Sequence, residues 1–473
     1  MNHRRRPARP ARNRPPKRKP NPARPVDVDP ARLAAVDTLR AVRERDAYAN
    51  LALPALLQQR QITGRDAALA TELTYGTCRA QGLLDAVLAE CSSRPLSEVD
   101  GKLLDALRLG AYQLLRTRIP AHAAVAATVD IVRMHSGTKL AGFVNAVLRR
   151  VAEHDEETWV AKIAPDPDTD PVGHLALRHA HPRWIAQAFA DSLEDSDAEL
   201  AAALAADDAR PAVHLTARPG EISADELAAI TGGDPAPYSP YGVHLEAGSG
   251  DPGELEPVKE GFATVQDEGS QLVALALTRA ELSGSDSRWL DLCAGPGGKA
   301  ALLGALITLD GGELDAVEQA PHRADLVRKA TEGLSVSVHV ADGREPGLEP
   351  GYDRVLVDAP CTGLGSLRRR PESRWRRQPS DVGELTKLQR ELLLSAVRLT
   401  RPGGVVGYVV CSPHLAETEG VVADVVRRAP VEQIDARECF PGVPDLGGGP
   451  AVQLWPHRHG TDAMFCALLR VTG

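Results

Sequence analysis

Apolar side chains recur every three or four residues through the first third of the chain. In "VDGKLLDALRLGAYQLLRTRIP", Leu103, Leu107, Ala111 and Leu114 follow this spacing, which places them on one face of a helix. The stretches "HAAVAATVDIVRMH" and "GTKLAGFVNAVLRRVAEH" repeat the pattern, and no strand-like alternation interrupts it. We therefore predict an all-α domain over residues 31–155.

The pattern changes twice beyond this domain. In residues 165–260, helical and strand-like stretches are separated by dense proline and glycine, as in "GGDPAPYSPYG", which indicates a small α+β module. In residues 261–473, apolar runs such as "RWLDL" and "YDRVLVD" alternate with amphipathic stretches such as "DVGELTKLQRELLLSAVRLT". That alternation predicts a Rossmann-like α/β domain with a doubly wound, parallel sheet. "DAMFCALLRV" has no helix after it and could form an antiparallel final strand.

Charge is spread unevenly along the chain. Residues 1–25 contain ten lysines and arginines and no acidic residue, whereas the whole chain has a net charge of −9. A segment rich in proline and arginine cannot build a core, so residues 1–30 are predicted to be a disordered basic tail. Such a tail is either a solvated extension or a sequence-independent clamp on phosphates.

Cysteine usage and hydropathy limit the class of protein. The seven cysteines are scattered and none are paired at CxxC spacing, so we expect free thiols in a reducing cytoplasm and no metal site. No apolar run approaches the length of a membrane span, so no membrane partner is expected.

A glycine-rich loop follows the first strand of the α/β domain in "LDLCAGPGGKA". Glycines there let the backbone turn tightly and approach a ligand. Acids end the next three strands, and a carboxylate in the first of these positions can accept both hydroxyls of a ribose. The loop is not GxGxxG and a group of carboxylates repels pyrophosphate, so S-adenosylmethionine fits better than a dinucleotide. The residues concerned are Gly295, Gly297, Gly298, Glu318, Asp342 and Asp358.

Two cysteines stand where strands of this domain end. Cys361 follows Asp358 in "VLVDAPCTGLG", and Cys411 ends the apolar run "GGVVGYVVC". A thiolate that adds to carbon 6 of a pyrimidine makes carbon 5 able to accept a methyl group. That chemistry needs a nucleophile, an acid at the ring and a base for the carbon 5 proton. The spacing alone leaves open which of the two thiols attacks.

Several motifs carry a family resemblance. "DLCAGPGGKA", "VDAPCTGLGSLRRRPESRW" and "YVVCSPH" resemble motifs I, IV and VI of bacterial RNA cytosine-C5 methyltransferases. "RLGAYQLLRTRIPAHAAVAATVDIV" and "GFVNAVLRRV" resemble the NusB-like N-terminal RNA-binding domain of that family. The resemblance implies a monomeric enzyme that transfers a methyl group from S-adenosylmethionine to a cytosine of 16S ribosomal RNA, nominally cytosine 967.

The resemblance also implies roles for single residues. Cys411 is then the nucleophile, Cys361 assists release of the product, Asp358 contacts the cytosine ring, and Lys299 holds charge and geometry beside it. The implied cofactor-binding residues are Cys293, Ala294, Gly295, Pro296, Gly297, Gly298, Lys299, Glu318, Asp342 and Asp358. Three positions depart from the family pattern, namely Gly295 for alanine, Ala300 for a hydroxyl residue and Val410 for threonine.

Arginines cluster directly after the Cys361 motif, in "SLRRRPESRWRR". Arginine forks suit phosphate groups, and tryptophan can stack on an unpaired base. The segment therefore predicts RNA contact, with a solvated loop as the alternative. The predicted RNA-binding residues are Arg368, Arg369, Arg370, Arg374, Trp375, Arg376 and Arg377.

Other functions compete with this interpretation. A non-enzymatic RNA-binding factor of the antitermination type would be expected to lack the glycine loop or the thiols, and this sequence contains both. A small-molecule methyltransferase does not need the helical domain or the arginine cluster. A methyltransferase that acts on a different RNA cytosine would share every motif described above, so the sequence does not distinguish this alternative.

Overall fold

The computed structural model describes residues 28–194, 196–246 and 250–473. The predicted basic tail lies almost wholly outside these residues. Among the described residues, no helix is both long and apolar enough to span a bilayer.

The first region is entirely helical, as predicted. Asp29 starts the first helix by accepting the N–H of Ala31 at 2.8 Å, and Asp46 ends it in the left-handed conformation, as is usual at helix ends. Leu84, Leu107 and Leu148, from three helices, are fully buried in one core. The helices are α1 (Pro30–Arg45), α2 (Ala49–Gln59), α3 (Gly64–Cys91), α4 (Gly101–Arg116), α5 (Ala121–Ser136), α6 (Thr138–Val151) and α7 (Glu156–Ile163).

The second region combines helices with a small antiparallel sheet. Its helices are α8 (Pro171–Arg178), α9 (Arg183–Ser192), α10 (Asp197–Asp208), α11 (Ala224–Thr231) and α12 (Glu256–Lys259). Its strands are β1 (Val213–Ala217), β2 (Asp234–Pro235), β3 (Gly242–Leu245) and β4 (Ala263–Val265), in the order β2-β3-β1-β4. β4 pairs with β1, so the sheet extends past the predicted boundary at residue 260.

The third region has the predicted alternation of strands and helices. Its strands are β5 (Arg288–Asp291), β6 (Glu313–Val317), β7 (Val336–His339), β8 (Tyr352–Asp358), β9 (Thr400–Val410), β10 (Val431–Ile434), β11 (Val452–Gln453) and β12 (Phe465–Val471). Its helices are α13 (Glu268–Arg279), α14 (Gly298–Leu309), α15 (Pro321–Ala330), α16 (Asp381–Leu399), α17 (Glu419–Arg428) and α18 (Pro456–His459).

The large sheet has the order β10-β12-β9-β8-β5-β6-β7. β5 to β9 are parallel, and β12 runs antiparallel to β9, which confirms the predicted final strand. Helices α13 to α15 cover one face of the sheet, and α16 and α17 cover the other. The strand order reverses between β5 and β8, and ligands of such sheets bind outside the carboxyl ends at that point.

Candidate active site

The glycine loop connects β5 to α14 at the reversal point of the sheet. Gly297 caps α14 with φ 114°, a conformation that disfavours any side chain. A Cβ at Gly297 would lie 2.8 Å from the Cβ of Ala330, and one at Gly295 would lie 2.1 Å from Oε2 of Glu318. The loop therefore needs glycine at both positions to stay this close to its neighbours.

Two of the predicted acids face this loop closely. Glu318 follows β6, is 6% exposed, and accepts the N–H groups of Gly295 and Ala320 at 3.1 and 2.9 Å. Asp358 ends β8 and accepts a hydrogen bond from Nζ of Lys299 at 2.8 Å. These contacts bring the ends of β5, β6 and β8 into one site.

The third predicted acid, Asp342, lies after β7 at the outer side of the site. Its carboxylate accepts hydrogen bonds from the side chain and the N–H of Arg344, at distances down to 2.6 Å. These bonds lower the pKa of Asp342, so the group is a carboxylate that accepts hydrogen bonds at neutral pH.

Asp291, the last residue of β5, is a site residue that the motif analysis missed. It is fully buried, and its Oδ1 accepts the N–H of Cys293 at 3.3 Å. Within the described part of the chain its Oδ2 has no hydrogen-bond partner. Burial, with a smaller contribution from the charge of Asp358, raises the pKa of Asp291 to about 7. The sequence does carry a signal for Asp291, because it is an acid at the end of a buried strand, and Asp358 was identified from the same feature.

This buried acid predicts a pH dependence of stability. As pH rises from about 4 to 7, the folded chain retains a proton on Asp291 that the unfolded chain releases, so this group lowers stability progressively. Asp291→Asn removes the effect. Between pH 5 and pH 8, the free energy of unfolding of the wild type should therefore fall by about 2 to 3 kcal/mol more than that of the variant. Urea denaturation at both pH values measures it, and parallel pH curves for the two proteins would contradict it.

Lys299 connects the glycine loop to the thiols. It lies in the first turn of α14, and its ammonium group is largely buried against Asp358. Burial opposes the charge of Lys299, but the charge of Asp358 and its hydrogen bond outweigh burial, and the pKa of Lys299 is raised. The site therefore holds a cation beside the carboxylate of Asp358.

The two predicted thiols are in contact. Sγ of Cys361 lies 3.5 Å from Sγ of Cys411. The hydrogen bond from Cys361 lowers the pKa of Cys411 against the effect of burial, and Lys299 contributes in the same direction. The hydrogen bond to Cys411, burial and the charge of Glu417 raise the pKa of Cys361. The contact of the two sulfurs therefore favours a thiolate on one of them and a proton on the other, and the nearby cation of Lys299 favours the thiolate on Cys411.

The three departures from the family pattern have structural explanations. Gly295 has no room for a Cβ while Glu318 stays in place. Ala300 and Val410 are both fully buried, and Val410 packs in the apolar core between the sheet and α16 and α17. A hydroxyl at either position would need a buried partner, so the apolar residues suit this chain.

The arginine cluster does not form the predicted RNA surface as a whole. Arg368 is 6% exposed, and its guanidinium donates to Asp462 at 2.7 Å and to Asp267 at 3.1 Å. Arg369 donates to the same two carboxylates, at 3.0 and 2.7 Å. This four-residue cluster joins the segment to α13 and to the loop after α18.

Arg374 is fully buried between the regions. It donates to the carboxylate of Asp207 at 3.0 Å and to the carbonyl oxygen of Arg79 at 3.0 Å. The prediction that Arg368 and Arg374 contact RNA is therefore wrong for this structure, since their guanidinium groups are enclosed and already paired with carboxylates. Sequence pattern could not reveal partners that lie this far away along the chain.

The other predicted RNA-binding residues differ in exposure. The indole of Trp375 packs on α3, where a Cβ on Gly82 would lie 2.5 Å from its Cζ2, so it is held by the helical region. Arg376 donates to the carbonyl oxygen of Ala47, while Arg377 donates to that of Thr362 at 3.0 Å. Arg370 is exposed and lies over the ring of Tyr48. Only Arg370 and Arg377 present much of their side chains to solvent.

Comparison with known proteins places this chain in a family. The family model "16S rRNA methyltransferase RsmB/F" matches residues 280–470, and the NusB family model matches residues 29–153. A putative methyltransferase of Mycobacterium tuberculosis is 62% identical over 97% of this chain and 99% of its own length. The crystal structure of PH0851 superposes with a TM-score of 0.76 at 23% identity, covering 92% of this chain and 97% of that one.

A named relative gives the family assignment. The ribosomal RNA small subunit methyltransferase B of Pseudomonas putida is 32% identical over 84% of this chain and 89% of its own length. Sequence likeness of that extent, across both the helical and the α/β regions, makes this chain an enzyme of the RsmB/F family of 16S rRNA methyltransferases.

Proposed function

We propose that the enzyme transfers a methyl group from S-adenosylmethionine to carbon 5 of a cytosine in 16S rRNA, through a covalent bond between Cys411 and the base. The observation that carries this proposal is the contact of the Cys361 and Cys411 sulfurs, at 3.5 Å, beside the Lys299–Asp358 pair. A methyltransferase site for simple direct transfer requires no thiol. Addition to a pyrimidine ring followed by elimination requires a nucleophile, and two adjacent thiols can supply that nucleophile and a group that assists its release.

The cofactor site suits S-adenosylmethionine. Residues 293–299 form a loop packed against Glu318, the expected acceptor for ribose hydroxyls, and Asp342 and Asp358 are the expected acids at the ends of two further strands of the same sheet. The bound cofactor supplies an electrophilic methyl group and carries a positive charge that these carboxylates favour. Backbone at Gly295 and Gly297 can approach a ligand closely because neither carries a side chain.

The side chains of the site have separate roles in the reaction of the base. The Cys411 thiolate adds to carbon 6, and the electrons displaced from the ring make carbon 5 nucleophilic. Asp358, held by Lys299, contacts the ring edge and balances the charge that develops there. After methylation carbon 5 must lose its proton to a base, and the Cys411–carbon 6 bond must break to restore the ring. Cys361, in contact with Cys411, assists that release.

The helical region and two arginines supply the RNA contacts in this proposal. The region matches the NusB family over residues 29–153. Arg377 donates to the carbonyl oxygen of Thr362 beside Cys361, and both Arg370 and Arg377 have much of their side chains exposed. The target cytosine must leave its stack to reach Cys411, which requires least energy in a loop of the RNA. We expect the enzyme to act as a monomer.

Mapping of 5-methylcytosine tests the function directly. Bisulfite sequencing of 16S rRNA from a strain lacking the gene should show one 5-methylcytosine lost, with cytosine 967 the first position to inspect. The purified enzyme with S-adenosylmethionine should restore it on rRNA from that strain. An unchanged 16S pattern would contradict the proposal, and a loss confined to another RNA would identify a different cytosine as the target.

A further inference from the structure

A buried carboxylate stands between the two cysteine loops. Glu417 is fully buried, just before α17. Its side chain accepts hydrogen bonds from the N–H of Thr362 at 2.8 Å, from the hydroxyl of Ser412 at 2.7 Å and from Nε2 of Gln389 at 3.0 Å. The hydroxyl of Thr362 donates to it as well. Four donors converge on one side chain, so both of its oxygens are satisfied.

The partners of Glu417 are the residues that directly follow the two cysteines. Thr362 follows Cys361 in the loop after β8, and Ser412 follows Cys411 in the loop after β9. The hydroxyls of Thr362 and Ser412 also lie 3.2 Å from each other. The Glu417 backbone is fixed in turn, because its carbonyl oxygen accepts the hydroxyl of Tyr408 at 2.6 Å. One carboxylate thus joins two loops that are fifty residues apart in the sequence.

We propose that Glu417 is a positioning residue, which binds the loop after each cysteine and so fixes the separation of the Cys361 and Cys411 sulfurs. The inference rests on the proposed function, because it matters for catalysis only if both thiols act on one base. Glu417 acts through Thr362 and Ser412. Its negative charge has a second consequence, since it favours the protonated form of Cys361 and leaves Cys411 as the thiolate.

Three substitutions separate positioning from simple packing. Glu417→Ala removes the acceptor and frees both loops, so kcat for RNA methylation should fall about 100-fold while KM for RNA changes little. Glu417→Gln keeps the shape, and its Nε2 can donate to the rotated hydroxyls of Thr362 and Ser412, so most of kcat should return. Glu419→Gln is the matched control, because Glu419 is exposed in the same segment and should leave kcat unchanged.

A thiol measurement that needs no RNA completes the test. In a Cys411→Ala background, iodoacetamide modification of Cys361 is followed against pH by mass spectrometry, with and without Glu417→Gln. Removing the charge should lower the pH of half-modification by about 1, whereas Glu419→Gln should not move it. A Glu417→Ala enzyme with wild-type kcat overturns the inference, and an unchanged profile in Glu417→Gln overturns its second part, the effect of the Glu417 charge on Cys361. If the wild type methylates no RNA, the proposed function fails, and the thiol profile still shows whether Glu417 acts on Cys361.

Discussion

Cys411→Ala is expected to abolish methylation, with a rate loss of about 10⁴-fold or more, as is usual when a covalent nucleophile is removed. It should also abolish covalent trapping on RNA that carries 5-fluorocytidine. Fluorine at carbon 5 cannot leave as a proton does, so a thiolate that has added to carbon 6 stays bonded to the RNA. A complex that survives denaturing electrophoresis therefore reports which sulfur attacks.

The companion variant distinguishes the two thiols. Cys361→Ala should still form the trapped complex, and on ordinary cytosine it should accumulate an adduct that the wild type releases. Cys91→Ala, which alters a buried thiol of the helical region, should behave as wild type and serves as the control. If Cys361→Ala alone fails to trap, the roles of the two thiols must be exchanged.

The fold followed from the sequence because its signals are local. Helical spacing in residues 31–155 and alternating apolar strands after residue 261 each reflect neighbours within a few turns. The final antiparallel strand was also visible, since no helix follows "DAMFCALLRV". The boundary at residue 260 was less well placed, because β4 is three residues long and its partner β1 lies far upstream.

The candidate site was predictable where its residues end strands. Glu318, Asp358 and Cys411 all stand at or directly after carboxyl ends of parallel strands, and these meet at one edge of a sheet. Glu417 could not be found in this way, because "AETE" reads as the start of a helix. Its function in the structure comes from donors on two other loops. Which residues those loops bring together depends on tertiary packing that no spacing rule describes.

The arginine cluster illustrates the opposite error. A run of six arginines around one tryptophan predicts an RNA surface when charge alone is considered. In the folded chain, carboxylates that are distant in the sequence pair with Arg368, Arg369 and Arg374. The segment thereby links the loop after Cys361 to the helical region and to α10. Its main contribution in this structure is to hold the three regions together.

Arg374→Met should destabilise the protein strongly. The side chain of methionine fills much of the same volume, but among the described residues the carboxylate of Asp207 keeps only His181 and the N–H of Arg368 as partners. Removing one member of a buried ion pair lowers the free energy of unfolding by about 3 to 5 kcal/mol. Urea denaturation measures the loss, and it should be the largest among substitutions in the arginine cluster.

The pH dependence of this variant provides an internal check. Burial and, after it, the charge of Arg374 lower the pKa of His181. Without Arg374 the pKa of His181 is lowered less, so a fall in pH below the ordinary His value of about 6.5 destabilises the variant less than the wild type. The deficit should therefore be smaller at pH 6 than at pH 8. Arg183→Met, which breaks an exposed pair with Asp170 in the same region, should have little effect at either pH. Wild-type stability in Arg374→Met would contradict the predicted contribution of the buried pair.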